Sequence, residues 1–325
     1  MMRELLVFFV VTVVIFDSEC GGIQGPITAN FQSWLQKYNY THYDFIRKDY
    51  GNYGSYGGFP NSTSKITRPP VIFFHGNSDS ALKTDSFSTG WDNSIAYFLS
   101  KGYQTGELYA TSWQDNLAIK AGTRTHDCSD LQRLRKFVEA VIRYTKTTSI
   151  SIIGHSMGVT LSRKIIQGGI VNATDGNCDL GVYLGDYVDV FIGISGANYG
   201  LCSCTGTFSG FSQTCSKKNG FWPGDSCGTQ TVSSHCGNSN LNCTSSKYSS
   251  YLNDLNNFPT KIAKYVFSMW SRADDLINNQ DYVWGRNTSM IPMSDAKIVY
   301  EKYTHMQSKE LTAADQYSLV VDKNV

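Results

Sequence analysis

An α/β fold, with a mostly parallel sheet covered by helices on both faces, is predicted by three observations. Short apolar runs alternate with amphipathic stretches through most of the chain, and parallel strands need intervening helices to return the chain to the same edge. Those runs, such as VIFF at 71–74 and SISIIG at 149–154, are apolar throughout, as suits strands buried on both faces. The chain has 325 residues, enough to bury the core of one large α/β domain.

The elements follow in order. Residues 26–70 are aromatic and turn-rich, with a GNYGSYGGFP cluster and one short helix expected near Phe31 to Tyr38. VIFF is the first clear strand, and an amphipathic helix near Trp91 to Ser100 completes the first unit. ELYATSW at 107–113 gives the next strand. The following helix starts at Ser129, read as its N-cap, and carries Leu131, Leu134, Phe137, Val138, Val141 and Ile142 on one face. SISIIG leads into MGVTLSRKIIQGG at 157–169, a helix closed by paired glycines. VDVFIGIS at 188–195 and KYVFSMW at 264–270 add two strands, and the alternation in KIVYEKYTH suggests a last one.

Residues 201–250 break this rhythm. They are rich in Cys, Ser, Gly and Asn, without periodicity, and read as a cysteine-rich insertion within a domain spanning 21–325. Residues 1–20, with Arg3 ahead of an apolar run from Leu5 to Phe16, read as a signal peptide, because the run is shorter than the ~20 residues that span a bilayer. Removal after Cys20 leaves Cys128, Cys178, Cys202, Cys204, Cys215, Cys227, Cys236 and Cys243, an even set. In a secreted, extracellular chain these imply disulfides whose pairing sequence alone does not specify. Zinc on Cys202, Cys204 and His235 is the rejected alternative, since no CxxC or HxxxH spacing accompanies them. Glycosylation acceptors occur at Asn39, Asn61, Asn172, Asn242 and Asn287. With 28 basic against 27 acidic residues, the net charge of +1 provides no field to hold nucleic acid or an anionic membrane.

Chemistry concentrates at Gly154, His155, Ser156, Met157 and Gly158, which spell GxSxG. The pattern alone is cheap, for Gly224, Asp225, Ser226, Cys227 and Gly228 match it as well. Context separates the two. A nucleophile elbow is a strained turn from strand to helix, and only Ser156 has a predicted strand before it and a helix after it. HGN at His75 to Asn77 follows a strand directly, where the main-chain N–H of Asn77 would join that of Met157 in stabilising an oxyanion. A serine also needs a general base with an orienting carboxylate, in the chain order Ser, acid, His. Asp274 and Asp275 follow the KYVFSMW strand, and His305 is the single histidine after them. His126 and His155 are read as structural.

Taken together, GHSMG, HGN, SRADD and His305 resemble the class 2 lipase family of secreted triacylglycerol lipases, particularly its cysteine-rich animal members. The resemblance runs from about Pro26 to His305 and includes GWDNSIAYFLSKGY at 90–103 and ISGANYG at 194–200. It implies an α/β-hydrolase fold with Ser156 as nucleophile, Asp274 as acid, His305 as base, and Asn77 with Met157 as oxyanion donors. Asp274 is preferred over Asp275 because the SxxD and DxxI spacings resemble family members. In two respects the chain departs from compact bacterial relatives: Met306 and Gln307 follow His305 where those carry a small residue, and they lack the cysteine-rich segment.

The expected activity is hydrolysis of carboxylic esters through an acyl-enzyme, with triacylglycerol at a lipid–water interface as the leading substrate and no metal or organic cofactor required. A carboxylesterase or thioesterase of short soluble substrates is the nearest alternative. A catalytically silent secreted binding protein, working through its insertion, is the alternative of another class.

Overall fold

The computed structural model describes residues 22–205, 210–224, 236–240 and 247–324. The expected leader, with Cys20, lies outside them, as do Ser226, Cys227, His235, Asn242 and Cys243.

The strands are β1 (Ser55–Tyr56), β2 (Val71–Phe74), β3 (Leu108–Thr111), β4 (Ile150–His155), β5 (Ile170–Ala173), β6 (Gly176–Asp179), β7 (Val188–Ile194), β8 (Tyr265–Ser271), β9 (Tyr282–Val283), β10 (Arg286–Asn287) and β11 (Ala296–Tyr300). Seven of them form one sheet in the order β1-β3-β2-β4-β7-β8-β11. Every pairing in it is parallel except that of β1 with β3. Alternate side chains of each strand enter opposite layers. Ile72 and Phe74 pack with helices α1 (Ala29–Lys37), α3 (Cys128–Thr145) and α4 (Met157–Gln167). Val71 and Phe73 pack with α2 (Asp92–Ser100) and the C-terminal helix Ala313–Val321. This is the expected mostly parallel sheet with helices on both faces, the architecture of an α/β-hydrolase.

All the predicted strands and helices of the sheet region form, within a few residues of their expected limits. The N-cap of α3 is a correction: it is Asp127, not Ser129. The Asp175 carboxylate accepts from the main-chain N–H groups of Cys128 and Ser129 at 2.9 and 3.1 Å, so a residue from the β5–β6 turn satisfies the first donors of a helix that begins before the serine. Other elements carry too little local pattern to be foreseen: the two-residue β1, the β5–β6 and β9–β10 hairpins, and the helices Ser250–Asn256, Gln307–Glu310 and Ala313–Val321.

Disulfides join Cys128 to Cys178, Cys202 to Cys236 and Cys204 to Cys215. The first ties α3 to the β5–β6 hairpin, and the other two lie in the 201–250 segment. Asn39, Asn61 and Asn172 are exposed, whereas Asn287 is half-buried and the Thr288 and Ser289 that follow it are fully buried. Among the described residues no helix is long and apolar enough to cross a membrane.

Candidate active site

Ser156 occupies the bend between β4 and α4, with φ 54° and ψ −127°. A non-glycine residue in that region is strained, and its neighbours hold it there. Its N–H donates to Ile194 O on β7 at 2.9 Å, and Val159 N–H donates to Ser156 O at 3.0 Å. The flanking glycines are required by close approach. A Cβ on Gly158 would stand 2.3 Å from Phe74 O, and one on Gly154 would stand 2.9 Å from Gly158 O. Of the second GxSxG string only Gly224 is among the described residues; Ser226 lies outside them.

The loop after β2 brings Gly76 against this bend, where an added Cβ would lie 2.7 Å from Ser156 Cβ. His75 holds the loop in place. Its Nδ1–H donates to Gly76 O at 2.8 Å, its Nε2 accepts from Trp113 N–H at 3.0 Å, and Trp113 Nε1–H donates to His75 O at 3.0 Å. Burial drives the His75 pKa down to about 4, against weaker support from Asp79 and the Gly76 carbonyl, so the ring is neutral. Asn77 is fixed by its side chain, which donates to Ala121 O at 2.9 Å and accepts from Arg124 Nη1 at 2.7 Å. Its main-chain N–H, like that of Met157 at the start of α4, makes no hydrogen bond with the described loops and turns.

At the carboxyl end of β8, Asp274 is 3% exposed and His305, from the loop beyond β11, is 4% exposed. His305 Nδ1–H donates to Asp274 Oδ2 at 2.7 Å. The other Asp274 oxygen accepts from Leu276 N–H at 3.0 Å and Ile277 N–H at 2.8 Å. Burial raises the Asp274 pKa, but the charge and hydrogen bond of His305 and those two amides outweigh it and hold the carboxyl below its ordinary range. Asp275 is not the partner of the imidazole; its Oδ1 accepts from the main-chain N–H of His305 at 2.9 Å. His305 Nε2 is buried without a hydrogen-bond partner among the described residues.

Asn77, Ser156, Met157 and His305 all line one cavity of about 570 Å³, with Asp274 behind the imidazole. All five residues singled out from the sequence therefore gather at the carboxyl edge of the sheet. A hydroxyl, an imidazole oriented by a buried carboxylate and two unpaired amides around one cavity are the parts that nucleophilic acyl transfer requires.

Of the two histidines read as structural, His126 is held by Asn219 O at 2.7 Å and Thr160 Oγ1 at 2.6 Å, linking the 201–250 segment to α4. His155 does more. Its Nε2–H donates to His305 O at 3.1 Å, and the two rings lie 4.6 Å apart. Its position beside Ser156 was the available signal. Arg124, which holds Asn77 and Ser78 Oγ, is 47 residues from Asn77 and gave no signal at all. Cys202 and Cys204 are both in disulfides, and among the described residues no three ligating side chains cluster as a metal site would need.

No curated protein matches the chain. Among solved structures, Aspergillus fumigatus lipase B is similar at 11% identity and a TM-score of 0.44, over 79% of this chain and 52% of that one. This chain thus spans about half the length of that lipase. Bacillus licheniformis lipase BlEst2 in its mature form is similar at 12% identity and a TM-score of 0.48, over 83% of this chain and 99% of that one. Mouse alpha/beta hydrolase domain-containing protein 10 is similar at 12% identity and a TM-score of 0.42, over 80% and 93%. The sequence profile of the lipase (class 2) family matches residues 68–318, and with that span covering most of the chain, Ser156, Asp274 and His305 included, the chain belongs to the class 2 lipase family.

Proposed function

We propose that this protein is a secreted serine hydrolase of carboxylic esters, and that its preferred substrate is triacylglycerol. The observation that carries the hydrolase reading is the buried Asp274–His305 pair, whose Nε2 shares a cavity with the Ser156 elbow. Ser156 Oγ attacks the ester carbonyl carbon while His305 Nε2 takes its proton, and Asp274 holds the imidazole in the Nδ1–H tautomer. The carbonyl oxygen becomes an oxyanion beside the Asn77 and Met157 amides, and losing one such donor typically costs about 10²- to 10³-fold in rate. The alkoxide leaves with the proton from His305, giving an acyl-enzyme. Water then adds by the same route in reverse, releasing the fatty acid and restoring Ser156.

The finer reading, a lipase in place of an esterase of soluble substrates, rests on the cavity mouth. Ile119 and Phe211 are 92% and 91% exposed, and each adjoins a cavity-lining residue, Ala118 and Ser212. Ser212 Oγ–H donates to Gly122 O at 2.9 Å and Thr214 Oγ1–H to Ala121 O at 2.7 Å, so the two segments form one rim. Leu117 is also exposed there, and Leu276 is both exposed and cavity-lining. Apolar side chains gathered in this way favour a surface of their own kind. The disulfides are consistent with export from the cell.

The test is a chain-length series of nitrophenyl esters beside emulsified long-chain triacylglycerol, with Ser156→Ala as control. Long acyl chains and the emulsion should be preferred, and fluorophosphonate labelling should vanish in the variant. Preference for short soluble esters would replace the lipase with a carboxylesterase, and wild-type protein that takes no label would favour a silent binding protein.

A further inference from the structure

Four residues after His305, on the short helix Gln307–Glu310, stands Lys309, and two residues after Asn77 stands Asp79. The two meet in the interior. Lys309 Nζ lies 2.6 Å from Asp79 Oδ2, with side chains 1% and 3% exposed. The ammonium also donates to Gly90 O at 2.6 Å and Thr89 Oγ1 at 3.1 Å, so its three protons are all used. Asp79 Oδ1 accepts from Gly90 N–H at 2.9 Å, and Asp79 N–H donates to Gly76 O at 3.3 Å, closing a turn over Asn77 and Ser78. Asp79 forms part of the cavity wall, yet both its oxygens are engaged away from any substrate.

Burying such a pair adds little net stability, because desolvating two charges offsets their attraction. Its effect is to fix geometry between residues 230 apart in sequence. One segment carries the imidazole and the other the Asn77 amide, groups that must face the same reacting carbonyl. His155 supplies a second tie to the first segment, from the serine's own turn, through the His305 carbonyl. We propose that Asp79 and Lys309 are a positioning pair for ester hydrolysis, holding the His305 loop at a set distance from the Asn77 loop; this rests on the hydrolase reading above. Misplacement of reacting groups by about 1 Å costs roughly 10²-fold in rate, so a tie that touches no substrate can still govern kcat.

The experiment uses the double variant Asp79→Asn with Lys309→Met, which removes both charges together and keeps the acceptor for Gly90 N–H. On a soluble short-chain ester, with active sites counted by fluorophosphonate, kcat should fall about 10- to 100-fold while KM stays within about threefold. The rate of Ser156 labelling should fall with kcat. A folded double variant whose kcat is within about twofold of wild type overturns the proposal, as does a loss that lies wholly in KM. Should the double variant not fold, Asp79→Asn alone is decisive, because its single oxygen can still accept from Gly90 N–H while the NH2 group that replaces Oδ2 faces the Lys309 ammonium and breaks the ion pair. A kcat loss at constant KM then supports the proposal, and wild-type kcat overturns it. Wild-type protein that neither labels nor hydrolyses would sink the hydrolase reading itself; an active wild type with an equally active variant would sink only the positioning pair.

Discussion

His305 Nδ1 and Asp274 Oδ2 are 2.7 Å apart, while Asp275 Oδ1 accepts the main-chain N–H of the same histidine at 2.9 Å. Two adjacent carboxylates thus divide one residue between them. Asp274 orients the ring, and Asp275 holds the backbone that carries it.

That division gives unequal effects for two conservative substitutions. Asp274→Asn should lower kcat by about 10³- to 10⁴-fold, because the amide favours the wrong tautomer of the imidazole. Asp275→Asn keeps an acceptor for the His305 N–H and should cost less than about tenfold. Steady-state kinetics on a soluble ester reads both, and equal losses would contradict the assignment of roles.

Gly76 should tolerate no side chain. A methyl group there would stand 2.7 Å from Ser156 Cβ and 3.3 Å from Ser156 Oγ, so either the serine or the Asn77 loop must move. Gly76→Ala should therefore reduce fluorophosphonate labelling and kcat by at least about 10²-fold, with thermal unfolding still cooperative. Undiminished labelling would mean that the loop can yield without disturbing the nucleophile.

Stability should fall as the solution is acidified, in two stages. Burial holds His155 well below its ordinary value of 6.5, and lowers the pKa of both His75 and His126 from that value to about 4. Between those two values the unfolded chain binds more protons than the folded one, so stability is present in full above pH 6.5 and is lost as pH drops towards 4. Asp274 and Asp79 are held below their ordinary range, Asp274 as described and Asp79 because Lys309, His75 and the Gly90 amide outweigh its burial. Their contribution is present above the unfolded carboxyl value and disappears below about pH 4. Thermal melts from pH 7 to pH 3 should show this decline. His126→Gln should flatten the upper stage by roughly a third, since one of three titrating imidazoles is gone; an unchanged slope would show that His126 does not titrate on unfolding.

At the cavity mouth, Ile119→Asp and Phe211→Asp should separate the two kinds of substrate. Hydrolysis of emulsified triacylglycerol should fall about tenfold or more, because charges would replace apolar anchors. Hydrolysis of a soluble butyrate ester should remain within about twofold, since neither residue is among those lining the cavity. Equal losses on both substrates would indicate that the rim shapes the cavity and does not meet a lipid surface.

Sequence alone was sufficient for features written in neighbouring residues. Apolar runs and helical periodicity place β2, β4, β7, β8 and α2 to α4, and the strand before Ser156 with the helix after it distinguishes the GHSMG turn from the second GxSxG string. Local patterns suffice there because strand burial, helix amphipathicity and a strained turn are set by residues a few positions apart. What only the tertiary structure decided joins distant segments. It selects Asp274 over Asp275 as partner of the imidazole, pairs Cys202 with Cys236 and Cys204 with Cys215, puts the His155 ring under the His305 carbonyl, and brings Lys309 to Asp79. Each depends on how loops from separate strands meet at one edge of the sheet, and the relative placement of those loops is a property of the packed chain that no local stretch encodes.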